Sequence, residues 1–168
     1  KKKYSFSLIT VLHGLEVTRL NSNKYDKSIP KFTQNIDHSD RVIAVSNYTK
    51  NEAISITGTQ KITTIPNFVN TTEFFPKSTS ECRDNFRLHQ SDKILLSLSR
   101  LVKRKGHDIV IRAIQIVKKK IPGIKYLIAG AGDILYEKML KQLVNDLELQ
   151  SYVYFVGYIE ENKKPLLY

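Results

Sequence analysis

The segment Ser99-Arg100-Leu101-Val102-Lys103-Arg104-Lys105-Gly106 carries the residues in this sequence best suited to chemistry. It follows an apolar run and precedes a helical pattern, so Arg100 and Lys105 can both point at a ligand seated beyond a strand end. Arginine offers phosphate a forked, bidentate grip, and lysine offers a point charge. The N-terminus of the next helix would add free amide donors and the positive end of a dipole. Together these groups would neutralise a diphosphate and stabilise the charge that grows on it as it leaves. A solvated basic loop fits the same composition.

Three further turns carry candidate groups. Ala129-Gly130-Ala131-Gly132-Asp133 places glycines after a strand, where a ligand or another backbone can come close. The third glycine of the dinucleotide fingerprint is missing, and a tight strand-to-helix turn capped by Asp133 is an equal reading. At Gly157-Tyr158-Ile159, backbone groups could meet a base edge while Tyr158 or Ile159 packs on its face; an ordinary strand exit is the alternative. His13, before Gly14, could present an imidazole to a phosphate or a sugar hydroxyl, or serve packing alone. No Asp-x-Asp pair and no clustered His/Cys ligands occur, so a metal-dependent mechanism has no support in the sequence. There is no nucleophile elbow, and the lone Cys82 reads as a semi-buried structural thiol.

These turns need a scaffold that collects strand ends. Strands are expected at Leu8–Leu12, Arg41–Val45, Ile62–Ile65, Lys93–Ser99, Lys125–Ala129 and Tyr152–Val156. Helices are expected at Lys27–Ser39, at Asn47–Thr57 between an Ser46 N-cap and a Gly58 stop, at His107–Lys120 and at Ile134–Leu147. In the last of these, Leu135, Met139, Leu143 and Leu147 recur every four residues and read as a core stripe. Another helix is expected to begin at Glu160–Tyr168. The alternation implies an α/β fold of Rossmann-like, doubly wound parallel sheets, with ligands beyond the carboxyl ends of the strands.

The net charge of +11 is spread evenly, +5 over residues 1–91 and +6 over residues 92–168. It favours anionic partners: nucleotides, nucleic acid or an anionic membrane face. The single cysteine excludes an internal disulfide framework and fits a reducing compartment. The first residue is Lys1 and the only methionine is Met139, which suggests a truncated or processed chain. The lysines at 1–3 and the run after them superficially resemble a signal peptide, but the run is polar and lacks a convincing cleavage site, so a strand is expected there.

In order along the chain, His13-Gly14-Leu15-Glu16, Asp40–Ser46, Ile65–Asn70 with Phe74–Pro76, Ser99–Val102 with Lys105-Gly106, Ile128–Asp133 and Phe155–Tyr158 resemble the retaining glycosyltransferase family 4. Each piece is short, and their order and spacing carry the resemblance. It implies part of a two-domain GT-B architecture. Residues 1–76 would be the later part of the N-terminal, acceptor-side domain, 77–91 a connector, and 92–168 the first half of the donor-binding domain. By the same resemblance, Arg100 and Lys105 contact the donor diphosphate, Gly130, Gly132 and Gly157–Ile159 lie around the nucleotide, and His13 acts from across the cleft. The implied reaction moves a sugar from a nucleotide-diphosphate sugar to an acceptor hydroxyl with retention, without metal or cofactor. A glycan or lipid-linked acceptor, polysaccharide or glycolipid synthesis, and a cytoplasmic setting, peripheral on the inner membrane face, are the matching expectations.

The sequence departs from that family in places. The Gly-rich loop would precede Lys1, and the glutamate pair eight positions apart would follow Tyr168, so the chain alone is expected to have little activity. Glu73 and Glu81 have the spacing but sit in the connector, a chance match. Phe68 stands where many relatives carry glycine. A sugar-nucleotide epimerase of the same architecture and a nucleotide-binding Rossmann module remain rival readings. A nucleic-acid module would gather its cations with aromatics on one surface, whereas these are dispersed.

Overall fold

The computed structural model describes residues 6–22, 26–76, 80–86 and 88–168. The lysines at 1–3 and residues 77–79 and 87 of the expected connector lie outside them, as do the side chains of Glu81 and Cys82. The chain forms two compact units, Lys1–Val69 and Asn70–Tyr168.

The first unit runs β1 (Ile9–Leu12), α1 (Leu15–Asn21), α2 (Ile29–His38), β2 (Arg41–Ala44), α3 (Asn47–Thr57) and β3 (Ile62–Thr64). Its three strands pair in parallel in the order β1-β2-β3, so all their carboxyl ends emerge on one side. Leu12, Val42, Ala44 and Ile62 from the sheet bury against Val17, Ile36 and Ala53 from the helices. The expected signals bound α3: Ser46 Oγ accepts from Thr49 N–H at 3.1 Å, and Gly58 ends the helix with φ of 70°.

The second unit runs α4 (Ser80–Asn85), β4 (Lys93–Leu98), a 3-10 turn (Lys103–Lys105), α5 (His107–Val117), β5 (Ile124–Ala129), α6 (Ile134–Asp146), β6 (Val153–Gly157) and a second 3-10 segment (Glu161–Leu166). Its sheet is again parallel, in the order β4-β5-β6. Tyr126 and Ile128 of β5 pack with Ile111 and Ile114 of α5 and Leu140 and Val144 of α6. Asp133 caps α6 by accepting from the N–H groups of Leu135 and Tyr136.

Three elements differ from expectation. Helix α1 has no counterpart in the sequence reading; it starts where Glu16 reaches back to accept hydrogen bonds from the backbone N–H groups of His13 and Gly14. The core stripe of α6 is corrected: Leu135 and Met139 are 77% and 46% exposed, and Leu140 and Val144 form the buried line. A four-residue repeat gains 40° per step on a helix with 100° per residue, so from Leu135 to Leu147 it drifts about a third of the way round. Leu143 and Leu147 reach the core face and the two earlier residues do not. At the C-terminal end Glu161–Leu166 is 3-10 rather than α-helical; Pro165 inside it lacks the N–H that an α-helix would use.

Candidate functional site

Beyond Leu98 the chain continues alongside the residues that follow β5. Ser99 N–H donates to Ala129 O at 3.0 Å, Leu101 N–H to Ala131 O at 3.2 Å, and Asp133 N–H to Leu101 O at 2.9 Å. This extension sinks Leu101 to 1% exposure, so Arg100, its neighbour, is turned outward. The close approach explains both glycines of the Gly-x-Gly turn. A Cβ on Gly130 would lie 2.0 Å from Ser99 O, and one on Gly132 would lie 2.4 Å from Leu101 O. Gly130 also has φ of 133°, outside the range an L side chain readily adopts.

At β6 the register shifts between Ile128 and Ala129, which pair with Phe155 and Gly157 respectively. The irregularity brings the Gly157 carbonyl to accept from Gly130 N–H at 2.7 Å. Gly157 itself has φ of 80°, and the chain turns there so that Tyr158 and Ile159 stand over the strand ends.

Between these segments opens a cavity of about 380 Å³ lined by Leu98, Ser99, Arg100, Gly130, Ala131, Tyr158, Ile159 and Lys164. The structure thus gathers Arg100, Gly130, Tyr158 and Ile159 around one space. Gly132, Gly157 and Lys105 adjoin it in the chain without lining it. Lys105 is exposed on the 3-10 turn, where its N–H donates to Val102 O at 2.9 Å. Among the described residues neither Arg100 nor Lys105 forms an ion pair, so both charges are available to an anion.

His13 belongs to the first unit, at the carboxyl end of β1. Gly14 follows with φ of 114°, and its added Cβ would sit 3.3 Å from Thr49 Oγ1. Burial acts to raise the Glu16 carboxyl, but hydrogen bonds from backbone N–H groups of Gly14, Glu16 and His13 prevail and hold it below its ordinary value. The His13-Gly14 corner is therefore fixed by an ionised carboxylate.

Two residues at the second unit's site were not singled out in the sequence. Lys164 lines the cavity and pairs with Glu161, whose carboxylate pushes the ammonium's pKa up. The signal was a Glu/Lys spacing of three in a segment read as a helix start. His107, 1% exposed, sits beneath Ser99 and Arg100; only its place at the head of a helix after a strand end hinted at a role. Among the described residues, no group of three or more His, Cys, Asp or Glu is gathered as a metal site. No helix among them is long and apolar enough to cross a membrane.

Residues 78–168 match the family described as Glycosyl transferases group 1, and residues 1–73 match Glycosyltransferase Family 4. The chain belongs to the group 1 glycosyl transferases. Its similarity to curated members of the glycosyltransferases spans most of its length. It is 28% identical over 151 residues to N-acetyl-alpha-D-glucosaminyl L-malate synthase of Bacillus anthracis, covering 89% of this chain and 38% of that protein. It is 30% identical over 132 residues to a GDP-mannose-dependent alpha-(1-6)-phosphatidylinositol monomannoside mannosyltransferase of Mycobacterium tuberculosis, covering 77% and 34%. The chain thus spans a little over a third of the length of these relatives. Among solved structures, HepE from Anabaena in complex with UDP superposes with a TM-score of 0.81 at 21% identity, over 96% of this chain and 44% of that one. The fold of this glycosyl transferase chain is accordingly of the GT-B type, with Rossmann-like sheets in both units.

Proposed function

We propose that this chain supplies the donor-diphosphate side of an enzyme that transfers a sugar from a nucleotide-diphosphate sugar to an acceptor hydroxyl. The observation that carries the reading is the cavity at the carboxyl ends of β4, β5 and β6, lined by Arg100 as well as by Tyr158 and Ile159. A nucleotide placed there would set its base against Tyr158, which is 75% exposed, and its diphosphate toward Arg100 and Lys105.

In such a transfer the bond between the anomeric carbon and the phosphate oxygen breaks, and a bond to the acceptor oxygen forms. Negative charge builds on the departing diphosphate, whose oxygen keeps the old bond's electron pair and takes up the proton that the acceptor hydroxyl loses. Arg100 and Lys105 stabilise that charge, which makes them more valuable in the transition state than in the ground state. His13, at the head of a corner held by Glu16 in the first unit, is the group this reading assigns to the donor sugar or its phosphate. Retention, hexosyl transfer and independence from metal belong to this reading, as do a glycan or lipid-linked acceptor and a cytoplasmic, membrane-peripheral setting. Support for the donor and acceptor classes comes from relatives whose names specify GDP-mannose and phosphatidylinositol mannoside, and from HepE, whose structure holds UDP.

Titration of UDP, GDP and ADP against the protein, by calorimetry or NMR, tests the reading. One of them should bind, and Arg100→Ala with Lys105→Ala should weaken that binding by about 2–4 kcal/mol. Unchanged affinity in the double variant would remove both residues from the site. Binding should also survive excess EDTA; loss of affinity on chelation would refute the metal-free reading.

A further inference from the structure

We infer that His107 is a positioning residue, bracing from below the Ser99–Arg100 corner that the donor reading assigns to the diphosphate. The inference rests on that reading for its ligand and on a buried hydrogen-bond chain for its substance.

His107 opens α5 with 1% exposure, and both ring nitrogens have partners. Nδ1 lies 3.1 Å from Tyr126 Oη, while Nε2 lies 3.3 Å from Ser99 Oγ and 3.4 Å from Arg100 O. Tyr126 sits in the middle of β5, also 1% exposed, and its hydroxyl donates to Ser97 Oγ at 2.9 Å. That bond uses the phenol's only proton, so Tyr126 presents a lone pair to the imidazole. A neutral ring must then carry its proton on Nδ1 and leave Nε2 as an acceptor. Nε2 receives the Ser99 hydroxyl proton, for which the Arg100 carbonyl, 3.4 Å from the same Oγ, competes.

The chain of bonds from Ser97 through Tyr126 and His107 ends at Ser99, which lines the cavity beside Arg100. A packing role alone would be filled by a residue such as Phe, without burying two ring nitrogens that require partners. Tyr136 holds the ring from the side, its centroid 6.4 Å away, with its own hydroxyl tied to Asp108 at 2.8 Å. The imidazole is therefore held by Tyr126 and Tyr136, and its Nε2 edge faces Ser99 and Arg100. Their backbone N–H to carbonyl links with the β5 extension set the strand path; the ring holds the Ser99 hydroxyl, and acts on Arg100 only through Ser99, because an acceptor Nε2 makes no hydrogen bond to the Arg100 carbonyl.

The test compares His107→Phe, which keeps ring volume, His107→Asn, which keeps a polar group near Nδ1, and His107→Gln, which keeps one near Nε2. Amide exchange of residues 99–102 is measured in each, together with affinity for whichever of UDP, GDP and ADP binds best and for its parent nucleoside. We expect Phe and Asn to speed exchange at the corner and to weaken the diphosphate on the order of tenfold, with the nucleoside little changed. Gln should restore both within a few-fold. In the unaltered protein, ring ¹⁵N shifts should report the Nδ1–H tautomer, and Tyr126→Phe should move the proton to Nε2. Unaltered exchange at 99–102 in the Phe variant, or equal losses for diphosphate and nucleoside, would reduce His107 to a structural residue and overturn the inference. Failure of all three nucleotides to bind the unaltered protein would instead sink the donor reading, leaving the exchange and tautomer measurements to decide the brace.

Discussion

At the scale of single residues, the site depends as much on absent side chains as on charged ones. Arg100 can face the cavity because Leu101 beside it is drawn into the core, and Leu101 can go there because Gly130 and Gly132 leave room for its strand. The Gly-x-Gly pattern is compatible with the approach of a ligand or of a backbone; the distances to Ser99 O and Leu101 O show that both glycines admit a backbone. Gly130→Ala should therefore displace the Ser99–Leu101 extension, costing about 3 kcal/mol in stability and abolishing nucleotide binding. Denaturant unfolding and a nucleotide titration would measure both; an alanine variant that keeps wild-type stability would contradict the close approach.

At the scale of elements, caps placed the helices more faithfully than apolar repeats did. Ser46 with Gly58 and Asp133 marked α3 and α6 where they occur, because a cap is decided by a hydrogen bond within three residues. The face of α6 was misread because Leu135 and Met139 share a period with core residues but not a neighbour to bury against. Helix α1 escaped notice because it is seven residues long and its start depends on the Glu16 carboxylate and on Gly14 at positive φ. This element carries a pH prediction. The folded-state value of Glu16 is lowered below its ordinary 4.5, so its contribution is complete above that value and is lost as pH falls through the lower, folded one. Amide protection at His13 and Gly14 should fade on acidification below about pH 4.5, and Glu16→Gln should remove most of that dependence. A glutamine variant with the same acid profile would show that another group is responsible.

At the scale of the whole molecule, two separate cores underlie two separate units. Ile114, fully buried in the second, shares no cluster with Leu12, Val42 or Ile62 in the first. Truncating it to alanine should cost about 2–5 kcal/mol in the second unit. Hydrogen exchange should register the loss in β4–β6 amides and leave β1–β3 amides as they were. Equal loss in both sheets would mean that the units unfold as one.

Sequence alone sets the alternation of strand and helix, because periods of 2 and 3.6 and the capping residues act over short distances along the chain. It also determined the family, through short segments whose order is preserved even where each is unspecific. What it left open was which groups meet. Arg100, Gly130, Tyr158 and Ile159 come from three strand ends and share a cavity only because β4, β5 and β6 pair in parallel with one particular register. The same pairing sets Tyr126 beside Ser97, a contact of long sequence separation that no local pattern encodes, and Tyr126 in turn meets the His107 ring that lies under Ser99.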